Sequence, residues 1–586
     1  MEHKSAGGPQ LSIEQALWAL IAVLALATRL GRLGSAPLSA AEARQAIVAW
    51  RAASGLGMPL TGYNPVLLWG NSLLFSLFGA SDAVARLLPA LCGAGLALLP
   101  LLLKRELGRA GAIVSGLYLA LSPTALVASR QLNGTIVSAA GTMAFLGAGL
   151  QFWATGHRRW IVFAGAALAL AVAGGPTVYG LLLPLGVGYG LVSLAGIDVL
   201  PITLVDEKLW MPHERRRFLV TFGVGVLLLS TGAAWNLSGL EATGGLLGSW
   251  LGRFGPTSNA VSSPLTLLTA YEPWVLVFGL GGAIWGVLKR DGLSLLLALW
   301  GGLALTMTGL MPGREPVDLL WVVLPLTMLS ASFVAKIGTN GWGRQRPLTT
   351  VHLGIALVLW AHAYLQLGRY AAFGDGVDLG LAVISVLLQG LVALSFSLIL
   401  GGWTALRVVL TGATTALIAF TVGAGWGVAY RRPADPREAL WRSPTPGNIR
   451  DLVDTLEVIS WSEDGVPTTL DFAYEAPVDS VLTWYLRDFA DAERVSHLAD
   501  LSTEELGSIL VTADREEEDL PETETGYAGQ DFPIRWEWSP RELGCGFPPL
   551  GCRAGVRWLL FRESVPAPEG TEWATLWRAA GDTVRD

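Results

Sequence analysis

Charge is scarce in this sequence. Only 15% of its 586 residues are Asp, Glu, Lys or Arg, whereas hydrophobic residues make up 52%, and the mean hydropathy is +0.49. Soluble domains average about 25% charged residues. The shortage argues against an ordinary water-soluble protein and favours a chain that folds in lipid. The sequence also has no basic stripe, so it gives no sign of nucleic-acid binding.

Cysteine is rare as well, with three in the whole chain. Cys545 and Cys552 cannot form a zinc site alone, and no histidine lies near them in the sequence. They form a disulfide if their surroundings are oxidising and remain free thiols otherwise. Cys92 lies inside an apolar segment, which predicts inert packing.

The motifs of common soluble enzymes are missing. The sequence has no phosphate-binding loop with lysine, no His-Glu-x-x-His and no paired Cys-x-x-Cys. The apolar segments contain almost no charge in their interiors. A transporter usually carries ionisable residues in mid-membrane, so transport is the weakest of the functions considered.

The sequence instead contains a long series of apolar segments. A membrane-spanning helix needs about 20 mainly apolar residues. We predict a polytopic α-helical membrane protein with about thirteen spans, at 11–30, 84–103, 110–128, 134–155, 160–174, 176–195, 218–235, 271–288, 292–311, 317–335, 350–368, 378–400 and 404–429. The apolar stretch 64–79 is short and interrupted by polar residues, which indicates a helix at the membrane interface.

Loop charge predicts the orientation. With the N-terminus in the cytoplasm, the inner loops hold 15 Lys and Arg and the outer loops hold 7, as the positive-inside rule requires. This places the loop 31–83 and the C-terminus outside a cell membrane. In that loop, the segment after Ser39 has the pattern of an amphipathic helix with Ser39 as its N-cap.

The C-terminal part, 431–586, differs from the rest in charge. It has 15 Arg and no Lys against 31 acidic residues, a net charge of −16, whereas 1–430 carries +9. We predict a transmembrane domain 1–430 and a small extracytoplasmic α/β domain 431–586. A helix is expected from Ile449 to Ile459, strands at 468–474, 507–512 and 558–561, and a solvated acidic loop at 514–525.

Polar residues cluster on the predicted outer face. Arginines around a carboxylate at a membrane surface suit a lipid-linked phosphate donor, with the carboxylate as base on an acceptor hydroxyl. The alternative is that these are interface residues whose charged ends reach water. The cluster comprises Arg29, Arg32, Glu42, Arg44, Tyr63, Asn64, Asp82, Arg86, Arg130, Asn133, Arg314, Glu315 and Arg369.

The order of motifs in the first 200 residues resembles the C superfamily of membrane glycosyltransferases, especially family 39, which includes protein O-mannosyltransferases and aminoarabinose transferases. The motifs are Ala36-Pro-Leu-Ser-Ala-Ala-Glu-Ala43, Tyr63-Asn-Pro to Leu77-Phe-Gly79, Ala85-Arg-Leu87 and Leu121-Ser-Pro to Ser129-Arg130. Leu482-Thr-Trp-Tyr-Leu-Arg-Asp488 is similar to a signature of a flippase-associated subgroup of that family.

The resemblance implies an inverting glycosyltransferase that takes a sugar from a polyprenyl-phosphate donor on the outer face, in a multi-pass cell-membrane protein. It makes Glu42 the base candidate. Because Glu42 lies in an interfacial loop, we expect its replacement to stop sugar transfer without affecting folding. Arg44, Arg130 and Arg369 become phosphate ligands, and Tyr63, Asn64, Arg86 and Asn133 line the site. No cofactor is assigned, although a divalent metal would be compatible.

Four positions depart from the family pattern. Ala41 stands where the family has the aspartate of an Asp-Glu pair, Asn64 replaces a lysine, Asn133 replaces an aspartate, and Gly174-Gly-Pro-Thr177 replaces a lysine-containing turn. These departures leave a second function open, a non-catalytic accessory protein for flipping or handling lipid-linked glycans.

Overall fold

The computed structural model describes residues 12–57, 62–199, 211–257, 262–338, 346–476, 480–496, 508–512, 527–545, 552–564 and 567–579. These divide into two compact units. The first contains residues up to Gly31, Pro89–Arg130 and Gly134–Trp426, and the second contains Arg32–Leu88, Gln131–Asn133 and the chain from Gly427. The loop 32–88 is thus grouped with the C-terminal part, a finer division than a single boundary near residue 430.

The first unit is helical throughout its described residues. Proline opens several of its helices, where the missing N–H has no partner to lose. The helices are Ile13–Leu30, Leu87–Leu98, Lys104–Leu121, Pro123–Ser129, Thr135–Thr155, Arg158–Gly174, Thr177–Leu194, Pro212–Thr231, Gly239–Gly252, Pro264–Tyr271, Pro273–Lys289, Gly292–Leu310, Leu320–Gly338, Arg346–Phe373, Gly376–Leu400 and Gly402–Trp426, with 3₁₀ turns at Leu99–Leu103 and Pro316–Leu319.

Nine of the described helical stretches are long and apolar enough to cross a membrane, or ten if the bent pair Pro264–Tyr271 and Pro273–Lys289 forms one span. The apolar window of Gly376–Leu400 has a mean hydropathy of 2.4 and is only 11% buried within the protein. Such uncovered apolar faces are stable only in lipid. The chain is a multi-pass membrane protein.

The predicted count of thirteen spans is not confirmed. The predicted spans at 84–103 and 110–128 fall in one helical stretch, Leu87–Leu121, but the helix breaks at Gly108, where φ is 75°. A Cβ added at Gly116 would lie 2.8 Å from the Ala97 carbonyl oxygen, so the two segments pack against each other as separate helices. Helix Arg158–Gly174 has 17 residues and is therefore shorter than a typical span.

The second unit contains the loop helices Ala40–Ala53, Pro65–Phe78 and Asp82–Ala85. Helix Ala40–Ala53 begins after Ser39, as predicted, and the Glu42 carboxylate accepts a hydrogen bond from the Ser39 N–H. Helix Pro65–Phe78 has 14 residues, about 21 Å at 1.5 Å per residue. It is too short to cross a hydrocarbon core of about 30 Å, which is consistent with the expected interfacial helix.

The described C-terminal residues of this unit form a sheet of five strands, β1 (Phe472–Glu475), β2 (Ala492–Val495), β3 (Ile509–Thr512), β4 (Tyr527–Glu537) and β5 (Glu569–Ala579). Their order in the sheet is β2-β1-β3-β5-β4. β1 is parallel to β2 and β3, whereas β5 is antiparallel to β3 and β4. The helices are Asn448–Asp464, Val481–Tyr485 and Arg553–Phe561, with a π turn at Gly427–Arg431 and a 3₁₀ turn at Pro540–Leu543.

One predicted strand is wrong. Residues 558–561 lie in helix Arg553–Phe561, which buries Val556, Trp558 and Leu559 on one face. A short apolar run does not distinguish a strand from a buried helix. In the structure Cys552 is the N-cap of this helix, and its sulfur accepts a hydrogen bond from the Gly555 N–H at 3.2 Å. The predicted acidic loop lies outside the described residues.

Candidate functional site

Glu42 and Arg86 form a buried ion pair within the second unit. Their exposed fractions are 3% and 1%. The Arg86 Nε lies 2.7 Å from Glu42 Oε1, and Nη2 lies 2.9 Å from Oε2, so the contact is bidentate. Burial lowers the pKa of the Arg86 guanidinium, but the Glu42 charge and hydrogen bonds outweigh this and leave the pKa above its usual value.

Three further hydrogen bonds occupy the Glu42 carboxylate. Oε1 accepts from the Leu132 N–H at 2.8 Å, and Oε2 accepts from the Ser39 N–H at 2.9 Å and hydroxyl at 3.0 Å. Together with Arg86, five donors surround a group that has about four lone-pair sites. In this arrangement Glu42 fixes the surrounding backbone through its hydrogen bonds to Ser39 and Leu132.

Arg86 also holds the chain that precedes helix Ala40–Ala53. Its Nη1 donates to the Ala36 carbonyl at 2.7 Å, and its Nη2 donates to the Pro37 carbonyl at 2.9 Å. Sequence reasoning placed Arg86 among the lining residues. The structure makes it the partner that ties the Ala36-Pro37-Leu38 motif to Glu42.

Ala41 lies on a different face of the helix from Glu42. Ala41 is exposed whereas Glu42 is buried, because successive residues on a helix point in directions about 100° apart. The position at which the family carries aspartate is therefore the accessible one, and here it holds a methyl group.

The predicted phosphate ligands differ in their surroundings. Arg130 is 3% exposed, and its Nη1 donates to the carbonyls of Arg29 at 3.0 Å and Gly31 at 2.7 Å, at the C-terminus of helix Ile13–Leu30. Arg369 is largely exposed and pairs with Asp378 at 3.3 Å. Both lie in the first unit, whereas Arg44 is exposed on the same helix as Glu42.

The predicted lining residues serve local structure. Asn64 caps helix Pro65–Phe78: its Oδ1 accepts from the Leu67 N–H at 3.1 Å, and its own N–H donates to Gln45 at 3.0 Å. Tyr63 is buried at 3% exposure. Asn133 donates to the Gln131 side chain at 3.1 Å.

Asp82, which the sequence placed in the outer-face cluster, forms a second carboxylate centre whose partners were not predicted. Asp82 accepts hydrogen bonds from Trp484, Tyr485 and Arg450, at 2.9, 2.8 and 2.7 Å. Burial, followed by the Asp82 charge, raises the pKa of the Tyr485 hydroxyl. The Trp484–Asp488 signature was the available signal, but a sequence motif does not name its partner 400 residues away.

A third carboxylate, Glu272, lies fully buried in the first unit. It stands between helices Pro264–Tyr271 and Pro273–Lys289, which meet at a 107° bend. Glu272 accepts hydrogen bonds from Tyr118, from Ser122 at 2.6 Å and from the Thr124 N–H at 3.0 Å. The last contact satisfies a backbone donor in the first turn of helix Pro123–Ser129.

The first unit also contains an apolar cavity of about 370 Å³. Its walls come chiefly from helices Thr135–Thr155, Thr177–Leu194 and Gly292–Leu310 and include Leu146, Trp153, Leu182, Gly186, Leu297 and Trp300. A cavity of this size and lining accommodates hydrocarbon. Among the described residues, no group of three His, Cys, Asp or Glu side chains is arranged to hold a metal ion.

Comparisons with known proteins agree with this architecture. Residues 61–196 match the family described as dolichyl-phosphate-mannose-protein mannosyltransferase. The chain is similar in structure to ArnT from Cupriavidus metallidurans in the apo state, with a TM-score of 0.51 and 17% identity, covering 86% of this chain and 94% of that one. It is also similar to the same protein bound to undecaprenyl phosphate, with a TM-score of 0.50, 18% identity and coverage of 86% and 92%. No curated protein sequence matches it.

The protein thus shares the fold of the two ArnT structures. The family match confirms the resemblance of residues 61–196 to the dolichyl-phosphate-mannose-protein mannosyltransferases.

Proposed function

We propose that the protein is a membrane glycosyltransferase that takes a sugar from a polyprenyl-phosphate-linked donor on the outer face of the membrane. The observation that carries the proposal is the shared fold over 86% of the chain with a structure bound to undecaprenyl phosphate. The match of residues 61–196 to a family named for a dolichyl-phosphate-linked donor supports the same substrate class.

Each unit, taken by itself, has a feature that supports the proposal. The apolar cavity suits part of an isoprenoid chain, because its lining offers apolar surface to hydrocarbon. Arg44 and Arg369 are both exposed and remain the candidate phosphate ligands. Arg130 is less suited, because its Nη1 donates to backbone carbonyls.

Glu42 has a different role in this proposal from the one that the motif suggests. Its carboxylate holds the loop through Arg86, Ser39 and Leu132. Without an aspartate at Ala41, no side chain of this motif is placed to take a proton from the acceptor. We therefore expect slow sugar transfer by the wild-type protein.

The lack of an aspartate at residue 41 also favours a second candidate function, which is the binding and handling of lipid-linked glycans without sugar transfer. Ala41 supplies no acid or base, and the neighbouring carboxylate is fully hydrogen-bonded. Both candidates require donor binding, and they differ only in whether a sugar is transferred.

Donor binding is tested by filling the cavity. Gly186 lines it, and a Cβ added there meets no atom within 4 Å. We expect Gly186→Leu to weaken binding of undecaprenyl phosphate by about tenfold or more, because the added side chain takes space from the hydrocarbon. Native mass spectrometry of the purified protein, titrated with the lipid, measures the change.

Gly190→Leu is the matched control for Gly186→Leu. Gly190 lies one turn further along the same helix, also has open space for a Cβ, and does not line the cavity. Equal binding by the two variants would remove the cavity from the proposal. Failure of the wild-type protein to bind any polyprenyl phosphate would contradict both candidate functions.

The outer location of the C-terminal domain is tested by its cysteines. Cys545 and Cys552 are joined by a disulfide in the structure, with Cα atoms 5.8 Å apart. If the domain faces an oxidising compartment, alkylation of intact cells followed by non-reducing mass spectrometry should find the two cysteines linked. Quantitative alkylation of both thiols would place the domain in the cytoplasm and contradict the proposed orientation.

A further inference from the structure

We infer that a latch of four residues holds the outer loop in place, with Asp82 as its anchor. The four residues are Arg450, Trp484, Tyr485 and Arg487. The Asp82 side chain is 12% exposed. Its Oδ1 accepts from Trp484 Nε1 at 2.9 Å, and its Oδ2 accepts from the Tyr485 hydroxyl at 2.8 Å and Arg450 Nη2 at 2.7 Å. Three side chains from the C-terminal part therefore converge on one carboxylate of the loop.

The latch also binds the backbone of the loop. Arg450 donates to the Gly34 carbonyl at 2.8 Å and to the Ser35 carbonyl at 3.1 Å. The Tyr485 hydroxyl, which donates to Asp82, accepts a hydrogen bond from the Leu38 N–H at 2.9 Å. One hydroxyl thus connects the anchor to the chain just before helix Ala40–Ala53.

Arg487 and the Trp484 ring make further contacts with the loop. The Arg487 guanidinium stacks over the Trp484 ring at 3.8 Å and donates to the Ala80 carbonyl at 2.8 Å. The Trp484 ring lies 5.8 Å from the Phe75 ring of the interfacial helix. Asp488 is different, because its carboxylate is 66% exposed and pairs only loosely with Arg487 at 3.3 Å.

Two sets of contacts therefore fix residues 33–38. Arg86 binds the carbonyls of Ala36 and Pro37, whereas Arg450 and Tyr485 bind Gly34, Ser35 and Leu38. Because Ala41 and Glu42 follow directly on helix Ala40–Ala53, their placement depends on the latch. The residues of the latch are therefore positioning residues for Ala41 and Glu42. The structural inference is independent of the proposed function, whereas any effect on sugar transfer rests on it.

The test is hydrogen exchange of the full-length protein in nanodiscs. Asp82→Asn removes the anchor charge, and Tyr485→Phe removes only the hydroxyl that binds Asp82 and Leu38. We expect both variants to speed amide exchange in residues 34–38 by about tenfold, because hydrogen bonds to a charged group are the stronger ones. Exchange in the first unit, for instance in helix Leu320–Gly338, should stay unchanged.

Asp488→Asn is the matched control. It makes the same change of charge in the same segment, at a carboxylate that is exposed. It should leave exchange in residues 34–38 as in the wild type. Equal exchange in Tyr485→Phe, Asp488→Asn and wild type would overturn the latch, even where Asp82→Asn fails to fold. Faster loop exchange with unchanged donor binding and no transfer in any variant would support the latch and count against the transferase.

Discussion

Arg86→Met should destabilise the second unit by about 3–5 kcal/mol, because it leaves the Glu42 carboxylate buried without its partner charge. Arg86 is 1% exposed and makes a bidentate contact with Glu42, so water cannot replace it without opening the loop. Thermal unfolding of the purified full-length protein measures the loss of stability. Limited proteolysis in the loop 32–88 is the readout of unfolding.

The double variant Glu42→Leu/Arg86→Met separates the buried charge from other causes. It removes both charges at once, so it should be more stable than Arg86→Met alone. Arg557→Met is the surface control, since Arg557 and Glu563 form an ion pair with both side chains largely exposed, and its cost should stay within about 1 kcal/mol. If Arg86→Met is no more damaging than Arg557→Met, the pair does not hold the loop.

The burial of the Glu42–Arg86 pair changes an expectation drawn from the sequence. The motif placed Glu42 in an interfacial loop, where a replacement would affect chemistry and not folding. The structure contradicts the second part, because Glu42 is 3% exposed and accepts five hydrogen bonds. A loss of activity in Glu42→Gln would therefore not identify a catalytic base.

Features that depend on local sequence were predictable. Apolar runs gave the positions of the helices, since lipid requires them. Ser39 marked the start of helix Ala40–Ala53, and the spacing of Ile449, Leu452 and Leu456 marked helix Asn448–Asp464. These signals are set by residues within a few turns of one another.

Features that depend on distant partners were not predictable from the sequence. Nothing in the sequence pairs Asp82 with Tyr485 or Leu132 with Glu42, because folding brings these residues together across long stretches of chain. The resemblance predicted Arg130 as a phosphate ligand, but residue type alone does not decide this, since an arginine near an interface binds either phosphate or backbone carbonyls. Its contacts with the Arg29 and Gly31 carbonyls are visible only in the structure.

Ala41→Asp should raise sugar transfer from a polyprenyl-phosphate donor by about 10²–10⁴-fold, the usual contribution of a positioned general base. Ala41 is exposed, so the new carboxylate reaches solvent and an acceptor without breaking the Glu42–Arg86 pair. A carboxylate in the first turn of a helix is also electrostatically favourable. Transfer of radiolabelled sugar by purified wild-type and variant protein measures the difference.

Ala40→Asp provides the matched control, because Ala40 is the exposed neighbour in the same first turn and the variant adds the same charge. A rise in both variants would mean that negative charge near the membrane surface, and not a base at residue 41, is responsible. A rise in Ala41→Asp alone would identify the protein as a transferase slowed by one missing side chain. If neither variant transfers sugar while both still bind the donor, catalysis is excluded and handling of lipid-linked glycans remains, with Glu42 and Arg86 keeping the loop in shape for binding.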